Sequence, residues 1–154
     1  MDQTDFNKSY DLQSAIKAGS NKQIWEWTVE FLRASGHPNL GLANKLEHEG
    51  HHHFGPAEYP LEQLQNIIGP DSSFKYVEDK EKLAARVEQM QSDINKGWQP
   101  PPIIVTDFWE PYLEISDGGH RQRALLKEGI KKYPTIFFFK SQQSMDEFIR
   151  KHKF

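Results

Sequence analysis

The sequence predicts an α+β fold in which helices pack on a small mixed sheet, with an N-terminal helical extension. Two observations predict the sheet and its main helix. Short apolar segments at 103–105, 112–116 and 135–139 have the composition of buried strands, and residues 79–96 have the apolar spacing of an amphipathic helix. A third observation is that the first part of the chain shows only helical patterns and loop residues. We therefore place a helical extension and loop at 1–56 and the main domain at 57–154.

The N-terminal extension is predicted from two helical patterns. A short helix over residues 11–18 carries its apolar residues on one side. A second helix follows a capping-box spacing at 20–23 and stops at Gly36. Its residues Trp25 and Trp27 have two interpretations, a stacking platform for bases or a stripe that packs in the core. Helical aromatic stripes are usually buried, so we favour core packing.

Residues 36–58 are rich in glycine and proline, which predicts a loop with at most a short helical turn near 42–46. The loop contains the tract Glu47-His48-Glu49-Gly50-His51-His52-His53. Imidazoles and carboxylates bind divalent metals, but adjacent histidines on an extended chain point to opposite sides. A metal site and a pH-sensitive or active-site loop stay open, and a plain surface loop is favoured.

Three further elements are predicted from local signals. Residues 59–64 indicate an edge strand running into a turn or short helix, because Pro60 suits an edge. Prolines at 100–102 force an extended entry into the strand at 103–106. Residues 144–147 have the spacing of a second capping box, so we expect a C-terminal helix to begin at Ser144.

Residues 116–126 predict a strand, a tight turn and a helix, and they are the main candidate for a functional site. The two glycines at 118–119 break the strand and permit positive φ. A helix is expected over 120–128, so its first N–H groups point out of a glycine loop, an arrangement that binds phosphate. Arg121 and Arg123 oppose the helix dipole there, which favours an anionic ligand.

Several motifs follow one another in residues 57–139. They are an extended segment at 59–64, a helix ending at Gly97, the strand Pro102-Ile103-Ile104-Val105, a second strand, the turn Asp117-Gly118-Gly119-His120-Arg121, and Gly129-Ile130-Lys131-Lys132-Tyr133-Pro134 before a last strand. This ordered set resembles the ParB/sulfiredoxin superfamily. The resemblance implies that superfamily's α+β domain for residues 57–154.

The superfamily's members differ in the sequence of this turn. ParB-type members carry Gly-Glu-Arg-Arg and bind a nucleoside triphosphate, and sulfiredoxins have a cysteine at the position of Gly119. The chain contains no cysteine, which excludes sulfinic acid reduction by that route. Free serine kinases carry Asp-Gly-His-His-Arg, the form that this turn most resembles, with Gly119 replacing the first histidine. The resemblance implies a phosphotransferase or nucleotide hydrolase that uses ATP or another nucleoside triphosphate and Mg²⁺.

The residues of the turn have expected roles in such a reaction. Phosphate binding is expected of Gly118, Gly119, His120, Arg121 and Arg123. His120 is expected to donate to a phosphate oxygen. Asp117 is expected to hold the metal ion or to accept a hydroxyl proton, and its alternative is a structural helix cap. Glu49, Glu58 and Glu62 are further candidate acids, and none of them stands out as a general base.

Other functions stay open on the sequence alone. A ParB-like nucleotide switch, a DNA-associated regulatory module and a nuclease are the alternatives to a phosphotransferase. The net charge of −3 over 154 residues gives no general attraction to nucleic acid, so DNA is a possible but not a favoured partner. We expect a nucleotide and a small-molecule or protein acceptor as partners.

Composition also bears on where the protein works. The absence of cysteine fits a reducing compartment. No apolar run approaches the ~20 residues of a membrane span, and no signal peptide is visible at the start of the sequence. We therefore expect a cytoplasmic protein with no membrane partner.

Overall fold

The computed structural model describes residues 10–34, 36, 38–109 and 113–154, and it has the predicted α+β architecture. Its helices are α1 (Leu12–Ser20), α2 (Ile24–Ala34), α3 (Leu40–Glu49), α4 (Lys80–Asn95), α5 (Gly119–Lys127) and α6 (Gln142–His152). Its strands are β1 (His52–Pro60), β2 (Gln65–Asn66), β3 (Ile68–Gly69), β4 (Tyr76–Val77), β5 (Ile103–Thr106), β6 (Glu114–Asp117) and β7 (Lys132–Phe139), with a 3-10 helix at Leu61–Gln63.

The main sheet has five strands in the order β1-β7-β5-β6-β2 and is mixed, as predicted. β5 is parallel to β7, whereas β1–β7 and β5–β6 are antiparallel. β2 pairs in parallel with β6, and β3 and β4 form a separate two-stranded ladder. Tyr112, the predicted first residue of the strand before the turn, lies outside the described residues, as do residues 1–9 of the predicted extension.

The central strands are buried on both faces, as their continuous apolar sequence predicts. Ile104, Ile136 and Phe138 pack with the N-terminal helices on one face. The alternate residues of β5 and β7 form the second core with α5 and α6 on the other face. The sheet is therefore a middle layer, and the turn after β6 lies where the N-terminal helices and α5 meet.

The prediction of a loop over 36–58 was wrong. Asn39 caps α3, its side chain accepting a hydrogen bond from the N–H of Leu42, so the helical turn expected near 42–46 is a full helix. The following residues form β1 despite Gly55 and Pro56, because the register with β7 shifts between Phe54 and Ala57 and the bulge accommodates them. The boundary predicted between residues 56 and 57 therefore falls within a strand.

Two helices differ in detail from their predictions. The helix predicted over 79–96 was expected on the sheet, but α4 packs chiefly on α5 through Leu83, Val87 and Ala124. The C-terminal helix begins earlier than Ser144, because the side chain of Ser141 accepts from the Ser144 N–H and is the actual N-cap. Ser141 is the N-cap because its backbone is extended, as an N-cap requires.

The tryptophans of α2 are structural rather than an open stacking platform. Trp27 is buried and stacks on Phe31 with ring centroids 5.0 Å apart. The indole N–H of Trp25 donates to the backbone oxygen of Leu46 at 2.9 Å, which ties α2 to α3. Within the described ranges, no helix has both the length and the apolar character that crossing a membrane requires.

Candidate functional site

The turn after β6 presents an uncapped helix N-terminus. Gly118 is the N-cap of α5 with φ of 111°, a backbone conformation that glycine adopts and other residues rarely do. The first intrahelical bond runs from the N–H of Gln122 to the oxygen of Gly118 at 2.9 Å. No side chain caps this end, so Asp117 is not the helix cap that was its alternative role. The preceding N–H groups are left without an intrahelical acceptor.

A cavity of about 560 Å³ opens in front of this turn. Its wall includes the whole segment from Ser116 to Arg121, and further walls come from the N-terminal helices and from α4. Phe31, Met90 and Trp98 give it an apolar side. The volume lies in the range typical of small-molecule sites, and the lining combines apolar surface with a few convergent polar groups.

Asp117 and Arg121 form a partly buried ion pair at the mouth of the turn. The closest separation, from Arg121 Nη1 to Asp117 Oδ2, is 3.4 Å, and the side chains are 11% and 19% exposed for Arg121 and Asp117. Arg121 also donates to the oxygen of Pro102 at 2.8 Å, and Asn39 donates to Asp117 Oδ1 at 3.3 Å. Because Asp117 neutralises Arg121, the positive charge at the helix N-terminus costs less than the sequence suggested.

The Nε atom of Arg121 is buried without a hydrogen-bond partner. The Nε atom of Arg123 is also buried without a hydrogen-bond partner. In the described part of the chain, these two Nε atoms are the buried side-chain polar atoms that lack a partner. Unpaired buried donors are uncommon in folded proteins. The unpaired Nε of Arg121 is closed to solvent, although other atoms of the same side chain line the cavity.

Asn66 holds the turn in place from β2. Its amide nitrogen donates to the oxygen of Gly119 at 2.9 Å and to Oε1 of Gln122 at 2.8 Å. Gln122 in turn donates to the oxygen of Leu61 at 2.7 Å. A Cβ atom on Gly119 would lie 2.7 Å from Oδ1 of Asn66, so this close approach also requires glycine.

His120 is buried and paired with a carboxylate that the sequence did not single out. Its Nε2 lies 2.5 Å from Oε2 of Glu78, and Glu78 also pairs with Arg86 at 3.4 Å. Burial lowers the pKa of His120, and the hydrogen bond to Glu78 only partly offsets this effect. Burial works to raise the pKa of Glu78, but the bond from His120 and the neighbouring positive charges outweigh it and lower that pKa.

Both pKa directions fit a neutral imidazole beside an ionised carboxylate. In that state Nε2 carries the proton that it shares with Glu78, which leaves Nδ1 as an acceptor. An acceptor Nδ1 would suit His120 to take up a proton, and the donation to a phosphate oxygen expected from the sequence stays a prediction.

The remaining predicted residues lie elsewhere. The guanidinium of Arg123 donates to the oxygen of Ile68 at 2.7 Å and lies over the ring of Phe74, and Arg123 does not line the cavity. The cavity lining also excludes Glu49, Glu58 and Glu62. Asn39, Asn66 and Glu78 are the residues around the turn that sequence reasoning missed. Asn39 is the N-cap of α3, and Glu78 directly precedes the N-cap of α4.

The histidine tract forms no metal site. Within the described ranges no group of three or more His, Cys, Asp or Glu residues is arranged to hold a metal ion. His51 and His53 instead contact the backbone oxygens of His48 and Gly50, at 3.1 and 2.8 Å. A divalent ion at Asp117 would need most of its ligands from a bound molecule or from water.

Comparison with family models and with curated proteins finds no match. Among solved structures, a free serine kinase in complex with AMP is similar, with 22% identity and a TM-score of 0.37, covering 53% of this chain and 30% of that one. A C-terminally truncated ParB from Caulobacter crescentus complexed with CTP-γ-S is also similar, with 20% identity and a TM-score of 0.36, covering 64% of this chain and 53% of that one.

Both of these solved structures are less than 25% identical to this chain. This chain spans about a third and about half of their respective lengths. At this identity and TM-score, the similarity carries no functional argument. Any function proposed for this chain must be argued from its own residues.

Proposed function

We propose that this protein binds a nucleoside triphosphate at the glycine turn and acts with a divalent metal ion as a phosphotransferase or nucleotide hydrolase. The observation that carries the proposal is the uncapped N-terminus of α5, which opens into the cavity beside Arg121 and Asp117. Phosphoryl transfer depends mainly on positioning the phosphates and neutralising their charge. A helix N-terminus beside an arginine supplies both.

Phosphate binding uses groups that the turn leaves unsatisfied. The N–H groups of Gly119 and His120 start the helix without an intrahelical acceptor or a side-chain cap. Arg121 adds a positive charge on a side chain that lines the cavity. Its guanidinium contacts Asp117 at 3.4 Å, a long distance for a charge-assisted bond. A phosphate would compete well for this arginine.

The proposed need for a divalent metal ion fits a site in which the nucleotide supplies most of the metal's ligands. Mg²⁺ is commonly held by one or two carboxylates together with substrate phosphates and water. Asp117 is the one carboxylate on the turn, and the Asn39 amide orients it through Oδ1 at 3.3 Å. When bound there, Mg²⁺ supplies charge neutralisation for the transferred phosphoryl group.

Proton transfer is assigned to His120, which the Glu78 carboxylate holds in one orientation. The lowered pKa keeps the imidazole neutral near neutral pH, so Nδ1 can accept the proton of a reacting hydroxyl or water. Glu78 stabilises the imidazolium that results. Asp117 is the alternative base, and the two assignments differ in their mutational consequences.

Nucleotide binding is tested by calorimetry with ATP, CTP, GTP and ADP, each with and without magnesium. Arg121→Ala should weaken binding by roughly 10- to 100-fold, because it removes a charge-assisted pair of about 1.5–3 kcal/mol. Lys127→Ala is the matched control, because this exposed lysine sits at the far end of the same helix. Equal affinity of the folded Arg121→Ala and wild-type proteins for every nucleotide contradicts a phosphate site at the turn.

Catalysis is tested by single-turnover assays with labelled ATP and a panel of hydroxylated acceptors. Asp117→Asn should still bind nucleotide but lose turnover by about 10²-fold or more if Asp117 holds the metal or acts as base. His120→Gln should lose turnover by a similar factor if the imidazole is the base. A wild-type protein that binds nucleotide without turnover, with water or any acceptor, would instead be a nucleotide switch.

A further inference from the structure

Two more cavities are neighbours of the first through shared lining residues. The second, of about 420 Å³, shares Asn39, Ile68 and Ser116 with the first. The third, of about 320 Å³, shares Lys45 with the second. Each cavity therefore shares lining residues with the next, and the three together are called the track. Its middle section, defined by Lys45, Lys75, Tyr76 and Trp109, is the lysine groove.

The lysine groove alternates exposed aromatic rings with ammonium groups. Trp109 is 45% exposed and Tyr76 is 55% exposed, which is unusual for such large rings in one groove. Lys75 Nζ lies 4.3 Å from the centroid of the Trp109 ring and 5.9 Å from that of Tyr76. Lys45 Nζ lies 5.1 Å from the same Trp109 ring. One lysine is thus close to both rings, and Trp109 is close to both lysines.

The carboxylates that face the groove are paired with these lysines. Glu114 lies 3.6 Å from Lys75 Nζ, and its side chain is 10% exposed. Glu49 lies 2.6 Å from Lys45 Nζ. Beyond Lys45 the third cavity is lined by further basic side chains, which are His48, His51, His52 and Lys140. With histidine neutral, the second and third cavities are lined by three lysines and two glutamates, a positive excess of one, although the whole chain carries a net charge of −3.

A single nucleic acid strand has the same alternation, because flat bases and phosphates follow one another along it. Proteins that bind single strands combine a basic groove with aromatic side chains on which bases stack. A contact between an exposed lysine and a ring is weak compared with stacking of a base, so a base can displace the ammonium group towards a neighbouring phosphate. A small anion would fill one cavity, whereas a strand is long enough to reach from one cavity to its neighbour.

We propose that the lysine groove binds single-stranded nucleic acid, with bases stacked on Trp109 and Tyr76 and phosphates at Lys75 and Lys45. This site is distinct from the glycine turn, and the proposal stands whether or not the turn binds a nucleotide. Because only two lysines define the groove, binding should be moderate in strength and sensitive to salt.

Fluorescence anisotropy tests the proposal with labelled DNA and RNA single strands of about ten nucleotides, a length typical of such sites. Trp109→Ala should weaken binding by roughly 5- to 150-fold, the range for loss of one stacked base. Lys75→Gln should flatten the dependence of log K on log salt by about 0.7, from a wild-type slope near roughly −1.4 for two phosphate contacts. Lys127→Gln, with the same change of charge at the far end of α5, should leave both quantities unchanged.

Several results would overturn the proposal. Trp109 is half-exposed, so Trp109→Ala should fold, and thermal unfolding of that variant verifies it. A folded Trp109→Ala protein with wild-type affinity removes the stacking role. Equal affinity for duplex and single strands, no binding at low salt, or displacement of the strand by saturating ATP also contradicts a separate single-strand groove.

Discussion

Gly118→Ala is the sharpest perturbation of the proposed site, and the chain offers a matched control. Gly118 has φ of 111°, and a Cβ atom there would lie 2.8 Å from Arg121 Nη2 and 3.1 Å from Ile103 Cδ1. Gly97 has nearly the same φ, 104°, but its Cβ would meet nothing within 4 Å. The two substitutions therefore share the backbone strain, and only Gly118→Ala also brings a Cβ against Arg121 and, less closely, against Ile103.

The expected magnitudes follow from this difference. A left-handed conformation costs an alanine about 1–2 kcal/mol, so Gly97→Ala should lower the free energy of unfolding by that amount. Gly118→Ala adds crowding, which typically costs about 1–3 kcal/mol, for a total of roughly 2–5 kcal/mol. Because relief of the crowding moves the guanidinium, Gly118→Ala should also weaken nucleotide binding, whereas Gly97→Ala should not.

Urea denaturation of both variants, alone and combined with Arg121→Ala, measures these terms. In the Arg121→Ala background the guanidinium is absent, so the extra loss in Gly118→Ala should shrink towards the value for Gly97→Ala. Equal destabilisation by both glycine substitutions in the wild-type background would refute the reasoning that the turn is packed against Arg121.

Three further predictions concern the groups around the turn. Asn66→Ala should lower the free energy of unfolding by about 1–3 kcal/mol, because it leaves polar groups of Gly119 and Gln122 without a partner; urea denaturation measures this. Glu78→Gln should lower the pKa of His120 further, since Glu78 is what holds that pKa up, and an NMR titration of the imidazole would contradict this by showing a rise. Burial places the pKa of His120 below its ordinary 6.5. As pH falls below 6.5, the unfolded chain therefore takes up a proton on His120 before the folded chain does, so the free energy of unfolding should decrease. His120→Gln should flatten that part of the curve, and unchanged pH dependence of the urea midpoint would contradict it.

The turn was predictable because its signals are local. Two adjacent glycines end a strand, and the apolar pattern that follows has helical spacing, so the start of α5 falls within one residue of the predicted position. The partners of the turn were not predictable in this way. Glu78 and His120 are 42 positions apart, and Asn39 and Asp117 are 78 apart, so both contacts depend on how distant elements pack.

β1 shows a different limit of sequence reasoning. Gly55 and Pro56 are loop signals, but an edge strand tolerates both where its register shifts. Whether a glycine-proline pair forms a loop or a bulge within a strand depends on the partner strand. Nothing in residues 52–60 identifies β7 as that partner, and the histidines that begin β1 carry no strand signal of their own.

The position of β1 matters for any attempt to work with part of this protein. A fragment that starts at residue 57 would lose the pairing of His52, His53 and Phe54 with the end of β7. The backbone of Phe137 to Phe139 would then be an open template for another chain. Such a stretch, rich in phenylalanine and without charge, is the kind of sequence that assembles into intermolecular sheets. The N-terminal residues thus protect the most aggregation-prone strand of the chain, besides supplying Asn39 to the turn.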